Sequence, residues 1–348
     1  MNWTAALRFV RSLAPGMALL VAVCCGGPNS PTPPGAPPSV ACPANMSVSG
    51  VVGGNQAVSF AVPTVSGGTQ PVGITCTPGS GTTFPVGSTT VACTASDASS
   101  RTAQCTFTVT LNPALRLAVT KFMAFGDSFT EGEDGRSLRL VPHFIEPGGT
   151  YPFLLNGLLT NEYAAQSVEV LNRGQSGEHI NDGRSRLERT ELPKYHPQAL
   201  LLLEGYNDLL DVCKTSQGQE ASSPACATAI NEIVSSYRKM IQAAKSAGVS
   251  YVFASTLTPS GPYIPGPQIK TDRRLALSAI TSTNAKLASV IRGEGAILVD
   301  SYAAFVGHEA EYIGDDGLHP RRAGFQALAD TFFTAIKNTI PSTPALSH

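Results

Sequence analysis

Leu117-Ala118-Val119-Thr120-Lys121-Phe122-Met123-Ala124-Phe125 is mostly apolar and then breaks into Gly126-Asp127-Ser128-Phe129. A short apolar run that ends in glycine and polar residues reads as a buried strand closed by a turn. Similar runs follow at 168–171, 199–203, 249–255 and 296–299. Between them lie stretches with helical spacing, at about 151–164, 180–190, 225–247, 271–292 and 321–339. Repeated β-α alternation predicts a parallel sheet covered by helices on both faces. Ligands of such sheets gather at the carboxyl ends of the strands, so the residues just after each strand are where chemistry is expected.

Four polar blocks fall at those ends. They are Phe125-Gly126-Asp127-Ser128-Phe129, then Asn172-Arg173-Gly174-Gln175-Ser176-Gly177, then Gly205-Tyr206-Asn207-Asp208, and, after a loop, Asp316-Gly317-Leu318-His319-Pro320. Together they hold what acyl transfer needs. A serine hydroxyl is a weak nucleophile and needs a base within hydrogen-bond reach. Ser128 is the expected nucleophile and His319 the expected base. Asp316, three residues before His319, can accept the imidazole Nδ1–H, fix the tautomer and stabilise the imidazolium. An oxyanion needs aimed donors, and the Ser128 N–H, the Gly177 N–H and the Asn207 amide are placed to supply them. Asp127 is expected to brace the nucleophile turn.

The four blocks, in this order, resemble those of the SGNH/GDSL hydrolase family over about residues 119–340. The resemblance implies a flavodoxin-like three-layer α/β/α parallel sheet of the SGNH hydrolase type. It implies a serine ester hydrolase with Ser128, Asp316 and His319 as catalytic residues and Ser128, Gly177 and Asn207 as the oxyanion hole. Asn172 and Gly174, in Asn172-x-Gly174-x-x-Gly177, support the second block, and no cofactor or metal is implied. Phe129 stands where the family usually has Leu, which keeps an apolar anchor. Arg173 is bulkier and charged where the family is often small. It is expected either to point to solvent or to colour the charge of the pocket.

Other titratable residues read more plainly. Asp315 is a rival partner for His319, but its spacing is wrong for the motif. His308 lacks the second histidine of a zincin. His143, His179 and His196 read as surface or capping residues, the first two close enough to catalytic blocks to line the pocket. Glu204 is expected to be paired or to face the rim. No Gly-x-Ser-x-Gly elbow, dinucleotide fingerprint or P-loop is present.

Outside this region the composition changes. Between Gly26 and Asn112 the charged residues are Asp97 and Arg101 alone, among many Val, Thr and Ser and frequent Gly/Pro turns. In Cys105-Thr106-Phe107-Thr108-Val109-Thr110-Leu111 apolar and threonine side chains alternate, and short strands with frequent turns predict a small β-sandwich. The stretch Phe84-Pro85-Val86-Gly87-Ser88-Thr89-Thr90-Val91-Ala92-Cys93-Thr94-Ala95-Ser96-Asp97, followed by Cys105 to Val109, resembles the HYR (hyalin-repeat) module. That family has an immunoglobulin-like fold and serves adhesion or spacing.

The expected organisation is a signal peptide at 1–25, a Pro-rich linker at 26–40, the HYR module at 41–112 and the hydrolase domain at 117–342. Arg8 and Arg11 precede a short apolar stretch and Cys24-Cys25. That resembles a lipoprotein signal, with Cys24 or Cys25 as the lipidated residue, and simple secretion is the other reading. The remaining cysteines fit disulfides in an exported chain. Cys213 and Cys226 are expected to pair, while Cys42, Cys76, Cys93 and Cys105 allow three connectivities.

The chain has 348 residues and a formal net charge of -1, so no global basic excess draws it to nucleic acid. The expected partners are small-molecule or carbohydrate esters, a membrane through an N-terminal lipid, and cell-surface or polymer contacts for the HYR module. Segments 130–151, 213–226 and 259–270 are expected to line the site. No long apolar channel is legible, which favours short acyl groups, acetyl first. A lysophospholipase or thioesterase of the same family is one alternative. A surface adhesion protein with a vestigial hydrolase domain is another.

Overall fold

The computed structural model describes residues 35–135, 148–214, 221–266 and 271–345. The expected signal peptide, most of the linker, His143 and parts of all three expected pocket segments lie outside these residues. The described chain divides into two compact units. The first comprises 35–42, 63–75 and 93–105, and the second comprises 43–62, 76–92 and 106–345.

In the first unit Ser39–Ala41 pairs antiparallel with Thr64–Ser66, and Cys42 is bonded to Cys105. Cys93 is also disulfide-bonded. The two charges singled out in the sequence meet here. Asp97 accepts from the main-chain N–H of Thr69, Ser99 and Arg101 at 2.9–3.0 Å and from the Arg101 guanidinium at 2.7 and 2.9 Å. The Thr69 N–H leads these contacts, which outweigh burial and hold the carboxyl at a pKa of about 2.

In the second unit, Met46–Val51 runs parallel to the end of Thr102–Pro113, with an irregularity between Val48 and Val51. Asn55–Ala57 pairs antiparallel with Thr83–Pro85. Phe84 is fully buried, and Phe60 meets Phe107 edge-on at 4.9 Å between ring centroids. Leu115–Leu117 pairs antiparallel with Ser342–Pro344.

The rest of this unit is the α/β region, whose elements are numbered here from its first strand. The strands are β1 (Lys121–Gly126), β2 (Glu169–Gly174), β3 (Ala199–Leu203), β4 (Tyr251–Ser255) and β5 (Ile297–Val299). They form one parallel sheet in the order β2-β1-β3-β4-β5. Every residue of β3 is fully buried and β2, at the edge, is the most exposed. That is why the central strand reads as an unbroken run of Ala and Leu.

The helices are α1 (Ser128–Glu131), α2 (Tyr151–Glu162), α3 (Ile180–Arg186), α4 (Leu192–Tyr195), α5 (Tyr206–Val212), α6 (Pro224–Ser246), α7 (Leu277–Gly293), α8 (Ser301–Phe305), α9 (Glu309–Tyr312) and α10 (Arg322–Thr339). They pack in two sets, α2 with α10, and α6 with α3, α5 and α7, giving the three-layer α/β/α architecture. Helix α6 starts where Ser223 caps Cys226 N–H and Pro224 opens the first turn. It then buries Ile230, Ile233, Tyr237, Met240 and Ala244 on one stripe.

Two expected helices differ from the structure. The one expected at 180–190 becomes α3, a π-turn over Leu187–Glu191, and α4. The wider turn carries Glu191 to two arginines, Arg173 and Arg186. The one expected at 271–292 begins only at Leu277. Before it the chain is extended, with Arg273 N–H donating to the Asp316 carbonyl and Leu275 bridging Lys214.

Candidate active site

Register brings the blocks together. Gly126 lies beside Gly174 on one flank and Leu203 on the other. The turns after β1, β2 and β3 therefore leave the sheet side by side. Gly174 allows this, since a Cβ there would collide with the main chain of Thr130 and Glu131. Further ties lace the turns. Asn172 accepts from Gly174 N–H at 2.9 Å and donates to the Glu131 carbonyl at 3.2 Å, and Ser176 N–H donates to the Glu131 carboxylate at 2.6 Å.

Asp127 caps α1 by accepting from Phe129 N–H at 3.1 Å, and its other oxygen accepts from Gly205 and Tyr206 N–H, both at 3.2 Å. One carboxyl thus ties the first block to the third. Burial, opposed by these donors and by His319, lifts its pKa to about 7. Phe129 stacks on Tyr206 with ring centroids 3.7 Å apart.

The Gly314–Pro320 loop folds over this rim. His319 Nε2 lies 2.9 Å from Ser128 Oγ, across 191 residues of sequence, and Nδ1 lies 2.5 Å from Asp316 Oδ2. Burial raises the Asp316 pKa, but the hydrogen bond and charge of His319 with the Leu318 and His319 N–H donors outweigh it and lower the carboxyl overall. A carboxylate has no proton to give, so Nδ1–H is the donor and Nε2 faces Ser128 Oγ–H as an acceptor. Burial opposes the imidazolium, but the Asp316 hydrogen bond and charge, with Glu133, raise the His319 pKa above its ordinary value.

Ser128, Gly177 and Asn207 line one cavity of about 480 Å³. The Gly177 N–H has no partner among the described residues, and its φ of 79° suits glycine. Asn207 donates one amide hydrogen to the Glu178 carbonyl at 2.9 Å, which pins the Gly177 turn to α5. Among the described residues Leu210 is the one hydrophobic side chain in the lining. The other lining residues are Glu133, Ser176, Asp211, Lys214, Thr271 and Arg273.

Several expectations change. Arg173 neither meets solvent freely nor lines the cavity. Its guanidinium binds buried Glu191 at 2.7 and 2.9 Å, because the π-turn carries that carboxylate under it. Glu204 is neither paired nor at the rim. It is fully buried against Gly183, and neither carboxyl oxygen has a hydrogen-bond partner among the described residues. Burial, reinforced by Asp127 and Glu178, pushes its pKa well above the usual carboxylate range.

Asp315 pairs with Arg321 at 2.7 Å. His179 meets Asp211 at 2.9 Å, His196 ends α4 with φ 45°, and His308 stacks on Tyr312. Cys213 and Cys226 are bonded. Of the third expected pocket segment, Tyr263 and Ile264 pair with the main chain of Asp315 and Asp316 and so buttress the Gly314–Pro320 loop. Sequence reading missed Arg273 at the cavity. The run Asp272-Arg273-Arg274 read as a helix start and carried no signal of its own.

The profile of the GDSL-like lipase/acylhydrolase family matches residues 124–327, and that of the HYR domain matches residues 35–111. No curated protein matches the chain by sequence. Among solved structures the chain is similar to a lipase/acylhydrolase from Enterococcus faecalis (21% identity, 64% of this chain and 97% of that one, TM-score 0.43). It is also similar to an acetylxylan esterase from Geobacillus stearothermophilus (20%, 62% and 94%, TM-score 0.45). A third is a carbohydrate acetylesterase from Sinorhizobium meliloti (14%, 63% and 99%, TM-score 0.47).

Proposed function

The chain belongs to the GDSL-like lipase/acylhydrolase family, and we propose that it is an exported serine hydrolase of short-chain carboxylic esters, acetyl esters first. The observation that carries this reading is the continuous contact from Asp316 through His319 to Ser128 at the mouth of a small polar cavity. His319 Nε2 takes the Ser128 proton as Oγ attacks the ester carbonyl, and Asp316 stabilises the imidazolium. The oxyanion is held by the N–H groups of Ser128 and Gly177 and the second amide hydrogen of Asn207. One such donor is worth about 2.7–4 kcal/mol in the transition state. Nε2–H then protonates the departing alcohol, leaving Ser128 acylated. Water, deprotonated by the same nitrogen, releases the acid.

A cavity of about 480 Å³ with mostly polar lining supports a short acyl group and a polar alcohol. Residues 1–25 serve as the export signal, with a lipid on Cys24 or Cys25 as the anchored form. Disulfides fit an oxidising compartment, and among the described residues no helix is long and apolar enough to cross a membrane. The HYR module holds the enzyme at a polymer or cell surface. The intact constellation weighs against a vestigial hydrolase. The test is turnover of p-nitrophenyl acetate by the wild type and by Ser128→Ala. A loss of about 10⁴-fold or more is expected, and equal rates overturn the assignment.

A further inference from the structure

Glu133 stands on the cavity side of His319, where Asp316 does not reach. Its Oε2 lies 3.6 Å from Nε2, the nitrogen that also meets Ser128 Oγ. The side chain is 9% exposed, and its Oε1 lies 3.5 Å from the Arg273 guanidinium. Main-chain bonds fix both residues to the reacting loops. After the reversal at Gly132, Glu133 N–H donates to the Ser128 carbonyl at 2.9 Å. Arg273 N–H donates to the Asp316 carbonyl at 3.0 Å. Two residues after Glu133, Gly135 is held through its N–H by Pro320 and through its carbonyl by Asp315. The pair is therefore set relative to Ser128 and His319.

The reaction proposed above says which part of the substrate these groups meet. Nε2–H must hand its proton to the departing alcohol oxygen, so that oxygen sits within hydrogen-bond distance of Nε2. Glu133 Oε2 is then at most about 6.5 Å from it. A hydroxyl on the neighbouring carbon fills that gap, one hydrogen bond from Glu133 and one carbon–carbon bond along from the ester. An alcohol without it would draw water away from a nearly buried carboxylate without adding a hydrogen bond of its own, which discriminates between substrates.

We infer that Glu133, held by Arg273, reads the leaving alcohol by accepting a hydrogen bond from the hydroxyl vicinal to the ester. The preferred substrates are thus monoesters of vicinal diols and sugars that keep that neighbouring hydroxyl free. This rests on the ester hydrolase reading and adds the recognition of the alcohol.

The test crosses two enzymes with two esters. The esters are trans-1,2-cyclohexanediol monoacetate and the same compound with its free hydroxyl methylated. Wild type is expected to favour the free-hydroxyl ester by about 10-fold or more in kcat/KM, the worth of a hydrogen bond to a charged group. In Glu133→Ala the ratio should fall to within about threefold. Glu133→Gln keeps an acceptor oxygen and should fall between. Because each ratio is taken within one protein, a general loss of activity cancels. A wild-type ratio near one, a ratio undiminished in Glu133→Ala, or an undiminished Gln ratio should Ala not fold, overturns the inference. So does turnover of p-nitrophenyl acetate without turnover of the diol ester. Turnover of p-nitrophenyl acetate that survives Ser128→Ala strikes the hydrolase reading instead, and this inference falls with it.

Discussion

Asp97 in the β-rich region and Asp127 in the α/β region are both buried aspartates that accept three main-chain N–H groups. One is held near a pKa of about 2 and the other is lifted to about 7. Burial makes the difference first and the arginine second: desolvation dominates at Asp127, whereas at Asp97 the Thr69 N–H outweighs it and Arg101 adds to that hold. Asp97 adds a two-pronged guanidinium to its donors, and Asp127 has no arginine among its hydrogen-bond partners in the described residues. In the β-rich region the two charges are spent on each other and serve the fold. At the carboxyl end of the parallel sheet, acidic groups collect with only partial compensation. Such under-compensated groups are what a site needs for proton transfer near neutral pH.

That contrast breaks most sharply at the third aspartate. Asp316→Asn should cut kcat on p-nitrophenyl acetate by about 10⁴-fold, by presenting the wrong tautomer of His319 to Ser128. Asp97→Asn should leave kcat within about twofold, since the hydrogen-bond partners of Asp97 are Thr69, Ser99 and Arg101 and none of the residues proposed for catalysis. A comparable loss from both would erase the distinction. Asn207→Ala comes next, with an expected fall of about 10²–10³-fold in kcat. A rise in KM with kcat unchanged would remove Asn207 from the oxyanion hole.

Stability sharpens the comparison through its sign with pH. Asp97 has a depressed folded pKa, so its contribution is present above the unfolded value and lost as pH falls toward about 2. The gap in urea midpoint between wild type and Asp97→Asn should therefore be full at neutral pH and close below about pH 4. Asp127 has a raised folded pKa, so its contribution is present at acid pH and lost as pH rises through about 7. The gap to Asp127→Asn, about 1–3 kcal/mol at acid pH, should shrink in that direction. Two gaps with the same slope would contradict the assignment.

The smallest effect is on the acid limb of kcat/KM. With His319 raised, its midpoint should sit above the ordinary value of about 6.5. Glu133→Gln should move it down and Arg273→Gln should move it up, since these groups act on His319 with opposite sign. Shifts of the same sign would refute this electrostatic account.

The residues proposed for catalysis share one property in the sequence. Ser128, Gly177, Asn207, Asp316 and His319 each sit in a short block beside a recognisable strand end or loop, so local pattern places them. The strand runs were legible for the same reason, since a sheet buried on both faces demands unbroken apolar residues. Arg273, Glu133, Glu204 and Arg173 were not legible in their roles. Each is defined by a partner from another element or by the lack of one, and nothing in Asp272-Arg273-Arg274 announces that it lies against Asp316. The π-turn was hidden too, because its purpose, carrying Glu191 to Arg173 and Arg186, exists only in three dimensions.

The short ladder between Leu115–Leu117 and Ser342–Pro344 has a consequence for engineering. It sets the entry and exit of the α/β region side by side, so a host loop could receive that region as a cassette without being prised open. The same adjacency invites circular permutation, with a short peptide joining the old ends and new ones cut into an exposed helix connection.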